Sequence, residues 1–411
     1  ENFGNLNAGS SKLGKQAARH MQVVYSIGAR LAGGGIGNTA YHAARGIWRA
    51  GALRRLIASS YCPTDIPPES IRSLGWIGRG LKRAALLDAA GVCDAWSNTL
   101  FDLWASRQLL PCDLFHGWGN MCLFSLRRAR RLGALTVVER ASTHPREQRR
   151  LLAQAYARHG LTWRQDLRHL RRAEAEFEAA DYVAIPSDFV RESFMAHGFD
   201  PARLIQIPFG VDVERFKPAG PAEGAAPGRP FRALFVGQVS LRKGILDLLE
   251  AWRELAWPEA ELWVVGRVEP ALRPLLARFE DLPGLRWAGF VPDPAGTYQS
   301  ADVFVFPSIE EGSALVTYEA MACGLPLITT PNAGSVARHE REGLIVPPAD
   351  APALVDALRR LRDEPALRRR MGLAARRRAE EFTWEAYGRR LVAAYRRVLG
   401  AETAAEERAA P

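Results

Sequence analysis

Two Rossmann-like α/β domains, each a doubly wound parallel sheet, facing one another across a cleft, are what this 411-residue chain predicts. Short apolar runs alternate with amphipathic stretches of about 10–15 residues, the pattern of βαβ units. The alternation stops once, at Ala219-Gly-Pro-Ala-Glu-Gly-Ala-Ala-Pro-Gly-Arg-Pro230, a Pro/Gly/Ala run without periodicity, and then resumes. Each half, roughly 200 residues, is an ordinary domain size. The expected boundaries are 21–218 for the N-terminal domain, 219–229 for the linker, 230–382 for the C-terminal domain, 383–400 for a last helix and 401–411 for a polar, frayed tail.

Taken in order, residues 1–20 are polar and non-periodic and read as an appended expression tag, set apart from the fold. Strand and helix candidates then pair as 22–26 with 40–50, 114–117 with 123–132, and 135–139 with 146–159. Strand-like 181–186 and 204–209 close the first half. After the linker come strands at 232–236, 261–265, 285–289, 303–306 and 326–330, and helices at 245–255, 271–279, 316–322 and 354–361. The segment 382–399 places Trp384, Tyr387, Leu391, Ala394, Tyr395 and Leu399 on one helical face, with Thr383 as N-cap. Ligands in such sheets bind at the carboxyl ends of the strands, so two facing sheets make a cleft.

Composition excludes several classes. No signal-type apolar region and no run of 18 or more apolar residues occurs, so secretion and a membrane-spanning helix are not expected. Cys62, Cys93, Cys112, Cys122 and Cys323 form no metal spacing and read as reduced, mostly buried thiols of a cytoplasmic protein. No His/Cys cluster suggests a bound metal or cofactor. Abundant Ala, Arg and Gly suggest a high-GC bacterial genome. Of the 55 basic residues only five are Lys, which singles out Lys243 beside a glycine. Between Arg127 and Arg172 stand 13 Arg against Glu139, Glu147 and Asp166, a local excess of +10 equal to the net charge of the whole chain. That block raises an anionic membrane or a phosphorylated molecule as partner; nucleic acid is not expected.

The stretch from Pro307 to Pro326 (PSIEEGSALVTYEAMACGLP) carries the chemistry. It follows the apolar run 301–306 and reads as strand, tight turn and helix, with Glu311 at the turn and Glu319 two turns into the helix. The N–H groups of Gly312, Ser313, Ala314, Leu315 and Val316 stand at the helix start, a natural seat for phosphate. One acid beside that seat and a second deeper on the same face suit a ligand with sugar at one end and ribose at the other. This E-x7-E arrangement, followed by Ala-Met-Ala-Cys-Gly-Leu-Pro, closely resembles the retaining glycosyltransferases of family 4, over nearly all of 21–400.

The resemblance implies a GT-B architecture: an acceptor-binding first domain, a nucleotide-sugar-binding second domain and a final helix crossing back to the first. It implies a nucleoside diphosphate sugar, UDP- or GDP-linked, as donor, a hexose-type group transferred with retention, and no essential metal. Glu311 would bind sugar hydroxyls, Glu319 the ribose, and Lys243 the diphosphate. The family's Arg after the first glycine of that loop is here Gln238, after Gly237, and Arg242 is the candidate for the missing charge. Gly34 and Gly35, within a glycine run after the first strand, match the loop that meets the donor phosphate. The family's sugar-contacting His aligns with Arg140, with His144 four residues on, so either faces the sugar. The base would lie near Phe290-Val291-Pro292. His116, at a strand end, is a candidate for acceptor binding. The expected acceptor is a lipid-linked or phosphorylated glycan in envelope polysaccharide synthesis, handled by a cytoplasmic enzyme peripheral to the inner face of the cytoplasmic membrane. The rival readings are a sugar-nucleotide epimerase or a sugar phosphorylase on the same plan, or a catalytically silent nucleotide- or carbohydrate-binding subunit.

Overall fold

A computed structural model describes residues 21–80, 92–163, 166–220 and 229–400. The tag and tail readings, and most of the linker, lie outside the described residues. Two all-parallel sheets are present. The first orders its seven strands β3-β2-β1-β4-β5-β6-β7: β1 Val23–Leu31, β2 Leu53–Tyr61, β3 Ile71–Ser73, β4 Leu114–Trp118, β5 Leu135–Glu139, β6 Tyr182–Ile185 and β7 Leu204–Gln206. The second orders six strands β10-β9-β8-β11-β12-β13: β8 Phe231–Val236, β9 Ala260–Val265, β10 Leu285–Gly289, β11 Val303–Phe306, β12 Leu327–Thr329 and β13 Gly343–Ile345. In each, strand order reverses beside the first strand, the switch point where a doubly wound sheet opens a crevice. The central strands β4 and β11 are buried along their whole length, as expected of parallel strands covered on both faces.

Helices α1 Ile36–Arg49, α2 Val92–Arg107, α3 Leu123–Arg131, α4 Pro145–Ala157, α5 Leu167–Ala179 and α6 Asp188–Met195 accompany the first sheet. With the second come α7 Ile245–Leu255, α8 Arg273–Leu276, α9 Ala295–Gln299, α10 Leu315–Ala322, α11 Ala351–Asp363 and α12 Pro365–Glu380. Where a single helix is expected over 271–279, the chain forms α8 between two 3-10 turns, because Pro274 cannot donate to a helical ladder. No described helix is long and apolar enough to cross a membrane.

The last helix, α13 Trp384–Val398, is capped by Thr383, whose hydroxyl accepts from the Ala386 N–H. It crosses back onto α1, and the closest approach is glycine against glycine: a Cβ on Gly46 would lie 2.5 Å from the Gly388 Cα. Trp384 stacks on His42 with ring centroids 4.2 Å apart. The domains also touch through α4 and the residue that follows it. Tyr156 donates to Glu269 at 3.1 Å, and Arg158 pairs with Asp247 at 3.0 Å.

Candidate active site

A cleft of about 690 Å³ lies at the carboxyl ends of the second sheet's strands. Gly35, at the N-terminus of α1, lines it from the first domain; Gly237, Gln238, Arg267, Val291, Val316 and Glu319 line it from the second. Gly35 holds φ at +52°, a left-handed conformation that side chains other than glycine resist. A separate cavity of about 420 Å³ between α1 and α13, with His42, Arg45 and Trp384 in its wall, contains none of the candidate donor, acceptor or catalytic residues read from the sequence.

At the head of α10 the chain turns through Glu310, Glu311 and Gly312. Glu319 sits in the second turn of the helix, somewhat nearer its start than its sequence position suggests. It is half-buried and accepts a hydrogen bond from the Tyr298 hydroxyl at 2.8 Å. Burial raises its pKa, against the Tyr298 bond and Arg215. Lys243 ends the 3-10 turn Leu241–Lys243, and its Nζ is in direct contact with Glu311 Oε1. Burial and the adjoining Arg242 guanidinium pull the Lys243 pKa down, with Glu310 opposing them. A charged ammonium therefore depends on carboxylates close by.

Not all five N–H groups read as the phosphate seat are open. The Ala314 N–H donates to the Ala333 carbonyl at 3.0 Å, which removes it from that role. Gly312 is pressed against the first domain: a Cβ there would lie 1.9 Å from the Ala141 carbonyl oxygen, and its own carbonyl accepts from Ser187 Oγ at 2.5 Å. The Ser313 hydroxyl donates to the Gly334 carbonyl at 3.0 Å. Leu315 and Val316 stand in the first turn of α10, where N–H groups have no intrahelical acceptor.

Packing gives four of the residues singled out from the sequence the following surroundings. His116 is fully buried, its Nδ1 hydrogen-bonded to the Tyr395 hydroxyl at 2.6 Å and its Nε2 3.0 Å from Glu139. His144 is the N-cap of α4, its Nδ1 accepting from the Arg146 N–H, and its ring stacks on His197 at 4.6 Å among Phe177 and Phe194. Burial, then His197 and Arg140, lower its pKa to about 4. Arg242 is engaged with two carboxylates: its Nε meets Glu310 Oε2 at 2.8 Å and an Nη lies 3.4 Å from Glu311. Arg140 is also buried, bonded to the Thr143 carbonyl at 3.0 Å and Gln148 at 3.2 Å, and burial lowers its pKa to about 10.

Glu310 is the site residue that sequence reasoning passed over. Its side chain is 0% exposed and its pKa is held at about 2; burial works against this, but Arg242, Ser142, Thr143 and Gln148 together prevail. Arg267 and Arg215 were also missed. Arg267 lies over the Phe290 ring at 4.5 Å beside the expected base position, and Arg215 pairs with Asp293 at 3.2 Å. Arg267 follows Gly266, the first residue after β9, a position just past a strand end that could have flagged it.

The Arg-rich block proves less one-sided in space than along the chain. Arg146 pairs with Glu174, Arg172 with Asp102 and Glu176, and Arg130 with Asp181, acids that lie outside the segment from Arg127 to Arg172. Arg127, Arg128, Arg149 and Arg171 stay exposed with no salt bridge among the described residues. No described group of three or more His, Cys, Asp or Glu is placed to hold a metal ion.

Residues 33–215 match the family described as Glycosyltransferase Family 4, and residues 230–364 match Glycosyl transferases group 1. A D-inositol 3-phosphate glycosyltransferase of Kineococcus radiotolerans is 34% identical over 267 residues, 57% of this chain and 61% of that protein. A GDP-mannose-dependent monoacylated alpha-(1-6)-phosphatidylinositol monomannoside mannosyltransferase of Corynebacterium glutamicum is 31% identical over 54% of this chain and 63% of its own. The chain thus spans about three fifths of these relatives. In fold it is similar to a sucrose-phosphate synthase of Thermosynechococcus elongatus (TM-score 0.67, 21% identity, 93% of this chain and 100% of that one). It is also similar in fold to WaaG, a glycosyltransferase involved in lipopolysaccharide biosynthesis (TM-score 0.64, 20% identity, 90% and 98%).

Proposed function

Because the chain belongs to glycosyltransferase family 4, we propose that it transfers a hexose-type sugar from a nucleoside diphosphate sugar to a phosphorylated or lipid-linked glycan acceptor, with retention and without an essential metal. The observation that carries the reading is the meeting of Lys243 and Glu311 at the head of α10, with Glu319 in the adjoining cleft.

Breaking the anomeric C–O bond builds charge on the leaving diphosphate and on an oxocarbenium-like ring. Preorganised cations and N–H dipoles aimed at that charge supply the largest catalytic term in such sites. Lys243 is the cation for the diphosphate: when phosphate oxygens enter, they take the place Glu311 holds at Nζ, and Glu311 is released to accept from sugar hydroxyls. The open N–H groups of Leu315 and Val316 add their dipoles. Glu319 receives the ribose hydroxyls, Val291 lies at the base, and Gly34 and Gly35 close over the phosphates from the first domain. Gln238 donates a hydrogen bond where the family usually places an Arg. No side chain serves as a covalent nucleophile; the leaving phosphate deprotonates the acceptor on the same face.

The acceptor class rests on the two relatives, whose names specify an inositol phosphate and a phosphatidylinositol mannoside. The exposed Arg127, Arg128, Arg149 and Arg171 suit an anionic leaflet, each contributing about 1 kcal/mol, and support a cytoplasmic enzyme held peripherally at the membrane. Thermal-shift screening against UDP-, GDP- and ADP-sugars, then proton NMR of the product formed with EDTA present, tests the proposal. An inverted anomer, or turnover only with added divalent metal, would refute the mechanism. Absence of any turnover with a sugar that binds would favour a silent binding subunit.

A further inference from the structure

We propose that Glu310 is a positioning residue that couples contact between the two domains to the placement of Arg242 and, through it, of the Lys243–Glu311 pair. The proposal rests on the reading of that pair as donor-binding. Glu310 Oε1 accepts from Ser142 Oγ at 2.6 Å, Thr143 Oγ1 at 2.7 Å and the Thr143 N–H at 3.2 Å. Its Oε2 accepts from Gln148 Nε2 at 3.1 Å and Arg242 Nε at 2.8 Å. Three of these four partner residues belong to the first domain, and Arg242 belongs to the second. One carboxylate, sealed from water, thus reads the state of both domains.

A buried charge is tolerated only while its donors are in place, and removing donors leaves it uncompensated. Separating the domains strips Glu310 of every first-domain donor and leaves Arg242 as its side-chain partner. Arg242 has two carboxylates in reach: its Nε on Glu310 and an Nη 3.4 Å from Glu311. With Glu310 fully engaged by the first domain, the guanidinium is held by its Nε, and Lys243 remains the cation in direct contact with Glu311. With Glu310 solvated, Arg242 is free to swing and to compete with Lys243 for Glu311. The same loop is registered a second time, at Gly312 against Ala141 and Ser187, so Glu311 is held between two points that the first domain touches.

The test uses the full chain. Glu310→Gln presents N–H donors to groups that are themselves donors, and Ser142→Ala with Thr143→Val removes both hydroxyls from the far side of the interface. Small-angle scattering without nucleotide is expected to show a larger radius of gyration for either variant than for the wild type. Donor turnover should fall by ~10²-fold in kcat, the scale for misplacing a reacting constellation, with donor KM nearly unchanged. Combining the two sets should add little further, since both break one network. Titration calorimetry with UDP and GDP, and melting curves, check that the second domain is folded. Unchanged scattering and kcat in folded Glu310→Gln protein, or fully additive losses in the combined variant, would overturn the proposal. Scattering needs no substrate: an expanded Glu310→Gln protein whose wild type turns over no nucleotide-sugar would uphold the clamp and refute the glycosyl-transfer reading instead.

Discussion

Replacing His144 by Asn separates a structural histidine from a catalytic one. Asn keeps a side-chain acceptor for the α4 N-terminus but removes the ring packed against His197, Phe177 and Phe194. The His144 pKa falls from 6.5 to about 4 on folding, chiefly by burial. A depressed histidine leaves the unfolded chain holding the extra proton between those values, so its contribution is present above pH 6.5 and is lost as pH falls toward 4. The full shift corresponds to about 3 kcal/mol. Halving it for residual solvent screening leaves about 2 kcal/mol. Some three fifths of the interval lies above pH 5, so wild type should lose about 1 kcal/mol more than His144→Asn between pH 7 and 5, or about 1 °C in Tm for a chain of this size. Calorimetry at both pH values measures the difference of slopes, and His42, also lowered to about 4, cancels because both proteins keep it. At pH 7 the variant should keep donor turnover within about threefold. Identical slopes would refute the linkage. A tenfold or greater loss of kcat without loss of stability would return His144 to the sugar site.

Lys243→Ala should lower kcat by ~10²–10³-fold, as for deleting a charge on a developing oxyanion, and leave the melting temperature nearly unchanged; single-turnover kinetics would show it. Glu319→Ala should raise donor KM more than it lowers kcat, because a ribose contact is shared by ground and transition states, whereas Glu311→Ala should depress kcat; steady-state kinetics on both variants compares them. Gly46→Val forces side-chain atoms into the Gly388 backbone and should cost about 1–3 kcal/mol in urea titrations. Gly296→Ala, where a Cβ meets nothing within 4 Å, should not destabilise.

The parts legible from sequence were local. Alternating strands and helices, and the Glu311–Glu319 spacing, are written within a few turns of chain, and both sheets follow from them. The strand β2 escaped because Arg54 and Arg55 interrupt its apolar run, although its later residues are buried. His116 was misplaced for a different reason. β4 runs on to Trp118, so His116 stands mid-strand inside the sheet, and Tyr395, 279 residues further on, comes to rest against the ring. Glu310 was hidden for the same reason: its first-domain partners lie 162 to 168 residues away, and nothing near it in sequence marks it as paired.

The crossing of α13 over α1 has a consequence for how the protein is made. The side chains that α13 lends to the first domain, Tyr395 on His116 and Trp384 on His42, are synthesised only after the whole of the second domain. A first domain that has just left the ribosome therefore exposes the face of α1 around His42 and Gly46 that α13 covers in the finished protein. Domains fold as units during synthesis, and exposed apolar surface invites misassembly. The second domain must be translated in full before the first is complete, so the two halves reach their native state together, and a chain truncated before Thr383 should leave the ribosome as a substrate for chaperones.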